Sequence, residues 1–166
     1  MANIPNNEPP VAQQLKTITI IHIALTVGQV LFALISIFTT EKIYINVTDT
    51  HDPFIYIVPV FAVGSIIVSN ILYHKKISNV VQVSTLSDKL AAYQTALIVR
   101  YAPLEAASLF SIVSFMLTGI LFLLVVTSLM IVYFIYLKPS AENIKAALHP
   151  DYTQQDLFKN SDNNIF

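Results

Sequence analysis

His22, Gln29, Asn70, Arg100, Tyr101 and Glu105 stand inside long apolar stretches of this sequence. A charged side chain near the centre of a bilayer costs about 2.5 to 3.5 kcal/mol on insertion scales, so each such residue is a candidate for ion handling or for a specific contact. Glu105 is the natural carrier of a proton or a cation, and an ordinary imidazole such as His22 changes charge close to physiological pH. Arg100 and Glu105 are five residues apart, roughly 140° around an ideal helix, which keeps them from pairing on a straight one. Pro103 lies between them. It removes a backbone donor, frees a carbonyl near Val99 and kinks the helix, which would swing the two charges together. In the other arrangement Glu105, with Tyr101 and Ser108 on its face, meets His22 or Gln29, while Arg100 reaches Asn70 or Tyr73. Either way the six residues are expected to form one buried polar cluster. Such a cluster serves as a coupling site for an ion, or as a neutralised lock that fixes helix register, with Arg100 alternatively snorkelling to lipid phosphate.

Other chemistry finds little support. The chain has no cysteine, which removes thiolate catalysis and cysteine-ligated metal or iron–sulfur clusters. Bis-histidine haem needs two intramembrane imidazoles, and His51, His74 and His149 fall at or beyond the ends of the apolar stretches. No Gly-rich phosphate loop, metal-spaced histidine pair or nucleophile elbow occurs. The expectation is a protein that is not an enzyme, with no cofactor, no metal and no nucleic-acid partner.

The elements that carry these residues follow from composition. Of 166 residues, 55% are hydrophobic and 11% charged, more apolar surface than one small water-soluble domain buries. Four apolar segments, Thr17 to Phe38, Phe54 to Tyr73, Leu97 to Thr118 and Ile120 to Leu137, approach the length that a hydrocarbon layer of about 30 Å requires. Lipid offers the backbone no hydrogen bonds, so such segments are helices. The fold class expected is an all-α membrane protein with four transmembrane helices. The first stretch lacks a basic n-region and is retained, not cleaved as a signal peptide.

Lys16, Lys75, Lys76, Lys89, Lys138 and Lys145 flank one face, and Lys42 stands alone on the other beside Glu41, Asp49 and Asp52. By the positive-inside rule both termini and the loop from His74 to Lys89 are cytoplasmic, in an inner (plasma) membrane. The chain then divides into a polar N-terminal tail (1–16), a first hairpin (17–73), a cytoplasmic loop (74–89), a second hairpin (90–138) with a tight turn at Thr118-Gly119, and a tail (139–166). A short amphipathic helix in that tail would place Ile144, Ala147 and Leu148 on one face. Tyr56, Tyr73, Tyr133 and Tyr136 form an aromatic belt.

The hairpin is repeated. A shift of 78 residues lays Thr17 on Thr95, Ile20 on Ile98, Ala24 on Ala102, Leu31-Phe32 on Leu109-Phe110, Ser36 on Ser114 and Thr40 on Thr118. Two copies of a two-crossing unit point the same way in the membrane. Ala24-x-x-x-Gly28 and Ala102-x-x-x-Ala106 are small residues at helical spacing, which let backbones approach closely. Helices one and three are therefore expected to make the central contact, extended by Ala107, Ser111, Ser114 and Thr118.

The stretch from Tyr93 to Phe110, Tyr-Gln-Thr-Ala-Leu-Ile-Val-Arg-Tyr-Ala-Pro-Leu-Glu-Ala-Ala-Ser-Leu-Phe, resembles one in uncharacterised four-helix bacterial inner-membrane proteins. The resemblance covers helix three and implies a four-helix membrane fold with no particular activity. Rotary-ATPase proteolipids differ in their Gly/Ala-rich helices. Small multidrug-resistance transporters carry their membrane glutamate in helix one, where this chain has His22. The function expected is a non-catalytic subunit or scaffold of a larger inner-membrane assembly, with lipids and other membrane subunits, or further copies of itself, as partners. The alternative is a small proton- or ion-coupled transporter with Glu105 as its coupling carboxylate.

Overall fold

The computed structural model describes residues 10–45, 52–80 and 86–139. They form four helices: α1 (Pro10–Thr39), α2 (Phe54–Val80), α3 (Leu86–Thr118) and α4 (Leu121–Tyr136). No strand occurs among the described residues; one isolated bridge joins Tyr44 and Ile120. Three stretches, Leu15–Thr39, Phe54–Ser78 and Asp88–Thr118, are long and apolar enough to cross a membrane. α4 is a shorter apolar helix of 16 residues, about 24 Å long at the α-helical rise.

The helices outrun their apolar portions. α1 begins at Pro10, inside the expected N-terminal tail, and the expected loop from His74 to Lys89 is helical except for 81–85, which lie outside the described residues. Polarity marks where a bilayer ends, whereas a helix continues as long as its backbone bonds are made and no breaker intervenes. Proline at the first position of α1 is compatible with this, because the first turn has no intrahelical acceptor for an amide hydrogen. The expected amphipathic helix of the tail also lies outside the described residues.

α3 is the hub. It packs most extensively on α2, next on α4 and then on α1, while α1 and α2 scarcely meet. The principal contact is therefore α2 with α3, in place of the expected α1 with α3. α2 starts on an aspartate cap: Asp52 Oδ1 accepts from the Phe54 amide at 3.0 Å, with Pro53 between them. Both prolines inside helices, Pro59 and Pro103, are accommodated without interrupting α2 or α3.

At the end of the bundle where α1 and α3 finish, the chain after α1 is latched to the turn between α3 and α4. The Tyr44 amide donates to the Gly119 carbonyl at 2.8 Å, and the Leu121 amide donates to the Tyr44 carbonyl at 3.0 Å. Gly119 makes the turn at φ 70°, and a Cβ there would collide with the Lys42 carbonyl oxygen. Two penalties thus coincide at one residue, a left-handed backbone and a clash with main chain that cannot rotate away.

Gly119→Ala is expected to lower stability by about 2 kcal/mol or more. Gly28→Ala, where the added methyl meets nothing within 4 Å, is expected to be neutral or slightly stabilising in the helix. Thermal unfolding of the two variants in one detergent compares them directly, and equal effects would remove the case for the latch.

Candidate functional site

In lipid-facing geometry the usual rule of burial is reversed in α1. Between residues 19 and 39 its buried positions are His22, Gln29 and Ser36, all polar and seven residues apart. Its apolar Ile20, Ile23, Val27, Val30, Leu31, Leu34, Ile35 and Phe38 are exposed. Hydrocarbon solvates these side chains as well as a protein interior would, so burial is left to groups that lipid cannot satisfy.

The polar residues do not gather into one cluster. Arg100 on α3 faces α2: its Nη2 donates to Asn70 Oδ1 at 3.1 Å, and its Cζ lies 4.4 Å from the centre of the Tyr73 ring. Asn70 Nδ2 in turn donates to the Tyr133 hydroxyl on α4 at 3.4 Å. Ser69 Oγ donates to the Arg100 carbonyl at 2.7 Å. That carbonyl lies three residues before Pro103, so α2 supplies a donor to the backbone next to the position that the proline ring leaves open. Three helices are tied together at this one side chain.

His22 belongs to a second group, built from rings. It stacks on Phe134 of α4 with centroids 4.8 Å apart and planes 5° from parallel, and it stands 5.0 Å from Tyr101 of α3. Tyr101 and Phe134 close the triangle at 5.1 Å. The Tyr101 hydroxyl donates to the Leu137 carbonyl at 3.1 Å, satisfying one of the acceptors exposed at the C-terminal end of α4. Near the opposite end Ser111 Oγ donates across helices to the Leu123 carbonyl at 2.7 Å, whereas Ser114 Oγ turns to Phe110 of its own helix at 2.8 Å.

Glu105 stands apart from both groups. It is half-buried, and it makes no hydrogen bond or ion pair among the described residues. Arg100 is engaged on the α2 side, so Pro103 does not bring the two charges together. Glu105 does not reach His22 or Gln29 either: Nδ1 of His22 and both polar atoms of Gln29 are buried without a partner. Ala102 and Ala106 flank Glu105 on the exposed surface, and Ala24 and Gly28 are likewise exposed on α1. These four small residues do not form the α1–α3 contact. That contact uses the His22, Gln29 and Ser36 face, from which Ala24 lies on nearly the opposite side of the helix.

Ser69, Tyr133 and Phe134 were not legible as parts of the site, whereas Tyr73 was one of the two partners expected for Arg100 and does face it. The adjacent Ser69-Asn70 in an otherwise apolar stretch was a signal for the first. The two tyrosines sit where an aromatic belt also places them. No family model, curated protein or solved structure matches the chain.

Arg100→Leu and Asn70→Leu are each expected to cost about 1 to 2 kcal/mol, since each strands a half-buried polar partner. Their double-mutant coupling should be near 1 kcal/mol, within the range for interhelical bonds in membranes. Arg100→Leu combined with Glu105→Gln should show coupling below about 0.5 kcal/mol. Equilibrium unfolding of the two cycles in mixed micelles tests the assignment; strong Arg100–Glu105 coupling would overturn it.

Proposed function

We propose that the chain is a non-catalytic integral membrane subunit that docks into a larger inner-membrane assembly through the face of α3 bearing Glu105. The observation that carries this reading is Glu105 itself. It lies about 20 Å along α3 from Thr118 and about 7 Å inward from Arg100. A carboxylate at that depth, half-buried and without a partner among the described residues, is costly facing lipid alone. The small side chains of Ala102 and Ala106 beside it allow a neighbouring helix to come close enough to supply a donor. Arg100 and His22, by contrast, are held in contacts that join helices and leave no group poised for turnover.

In this reading α4 is the fourth crossing. It lies against the membrane half of α3, its N-terminal end adjoins the Gly119 latch, and its last carbonyls meet Tyr101. Lys16, Lys75, Lys76, Lys89 and Lys138 then lie at the end away from the latch, with Lys42 alone at the latched end, and the positive-inside rule assigns the lysine-rich end and both termini to the cytoplasm. A duplicated hairpin is supported by one further detail. Thr40 Oγ1 donates to the Ser36 carbonyl at 2.7 Å, and the repeat-equivalent Thr118 Oγ1 donates to the Ser114 carbonyl at 2.8 Å.

A second reading, a small proton- or ion-coupled transporter, draws on the same residue. A carboxylate that Arg100 does not neutralise is free to load and release a proton or cation. Glu105→Gln separates the two. For a subunit, native mass spectrometry after mild-detergent purification should show stoichiometric membrane companions. Their occupancy should fall about tenfold or more in Glu105→Gln, as expected for loss of one charge-assisted bond, while the isolated chain keeps its melting temperature. A chain that purifies only with copies of itself, and whose proton flux in liposomes vanishes with Glu105→Gln, would reject the subunit in favour of the transporter.

A further inference from the structure

The inward face of α1 contains polar groups that neither the proposed docking face nor the two fastenings use. Gln29 is 1% exposed and Ser108 fully buried, yet Gln29 Oε1 and Nε2 and Ser108 Oγ have no hydrogen-bond partner among the described residues. His22 Nδ1 is in the same condition. Among these residues the register is set by one contact, the His22 ring 5.0 Å from the Tyr101 ring. α1 and α3 run in the same direction, and His22 and Tyr101 are equally far, seventeen residues, from the helix ends Thr39 and Thr118. One heptad on from His22 is Gln29, and one heptad on from Tyr101 is Ser108. A heptad step returns each side chain to the same face within about 20°. The heptad register therefore sets Gln29 and Ser108 at the same level of the α1–α3 seam, about 15 Å from the latched end and near the middle of the apolar layer.

We infer that this seam holds internal water at mid-membrane, bound between the Gln29 amide and the Ser108 hydroxyl. Gln29 offers two donors and an acceptor and Ser108 a donor and an acceptor, which covers the roughly two to four polar partners that a buried water takes. No apolar ligand explains the pattern, since it would leave every one of these groups unpaired. A cation would need more oxygen ligands and a carboxylate, and Glu105 lies on another part of α3. The orphaned Nδ1 of His22, about 10 Å nearer the lysine-bearing end, gives the same seam a third polar group facing inward. Water explains why α1 keeps an amide inward in a medium where an unpaired amide is strongly disfavoured.

Water-edited solid-state NMR on the full chain in lipid bilayers, with nitrogen-15 glutamine, tests the site. The Gln29 side-chain amide is assigned as the signal missing from Gln29→Leu. It should receive polarisation from water despite its depth, and that transfer should be lost in Ser108→Ala while the other glutamine signals stay in place. A Gln29 amide that receives none in the unsubstituted protein is dry and overturns the inference, whether or not the Ser108→Ala chain folds. Transfer that persists unchanged in a folded Ser108→Ala protein overturns the assignment of Ser108 as the second ligand.

Discussion

A leucine gains almost nothing by turning from hydrocarbon to a neighbouring helix, and every other feature of this bundle answers to that fact. Apolar side chains are left on the outside of α1 and α2 in large numbers. What draws the helices together is the set of groups that lipid cannot satisfy, together with aromatic rings whose faces and edges attract one another. The fully buried positions of α1 are consequently polar from residue 19 to 39.

Satisfying those groups from one helix makes α3 the hub. The Arg100 guanidinium reaches α2 through Asn70 and Tyr73, and Asn70 reaches α4 through Tyr133. Tyr101, the next residue, points to α1 and α4 through His22, Phe134 and the Leu137 carbonyl. Two consecutive residues, about 100° apart around the helix, thus recruit all three neighbours at a single level. The second clasp lies at the far end, where Gly119 allows main chain to bond main chain. Between the two clasps α3 meets α4 through Ser111. A bundle fastened at both ends holds its helices in register, which suits the subunit role proposed above; Glu105 lies outside both clasps.

Pro103 shows how the pieces depend on one another. A proline within a membrane helix leaves backbone acceptors that must be met from elsewhere. Ser69 donates to the Arg100 carbonyl, next to the Val99 carbonyl that Pro103 leaves open, and it does so one residue before Asn70, which meets the Arg100 side chain. The same two residues of α2 therefore serve the backbone and the side chain of Arg100. The backbone beside Pro103 and the cation are thus both met from α2, the helix on which α3 packs most extensively.

Helical class, the four helices of the described residues and the turn at Gly119 were legible in the sequence, because each follows from local requirements: apolar length against bilayer thickness, the absence of backbone partners in lipid, and glycine at a left-handed turn. The helix ends were less legible, because loss of hydropathy at Lys16 or His74 reports the edge of the bilayer and not the end of a hydrogen-bonded backbone. Which face of each helix turns inward was decided only in the tertiary structure. Apolar periodicity carries no such information when both the lipid and the interior are apolar, so Ala24, Gly28, Ala102 and Ala106 read as a packing seam and yet lie outside. The choice of partner was decided there too: Arg100 had several acceptors within a turn or two of its depth, and only the approach of α2 set Asn70 and Tyr73, not Glu105, against its guanidinium.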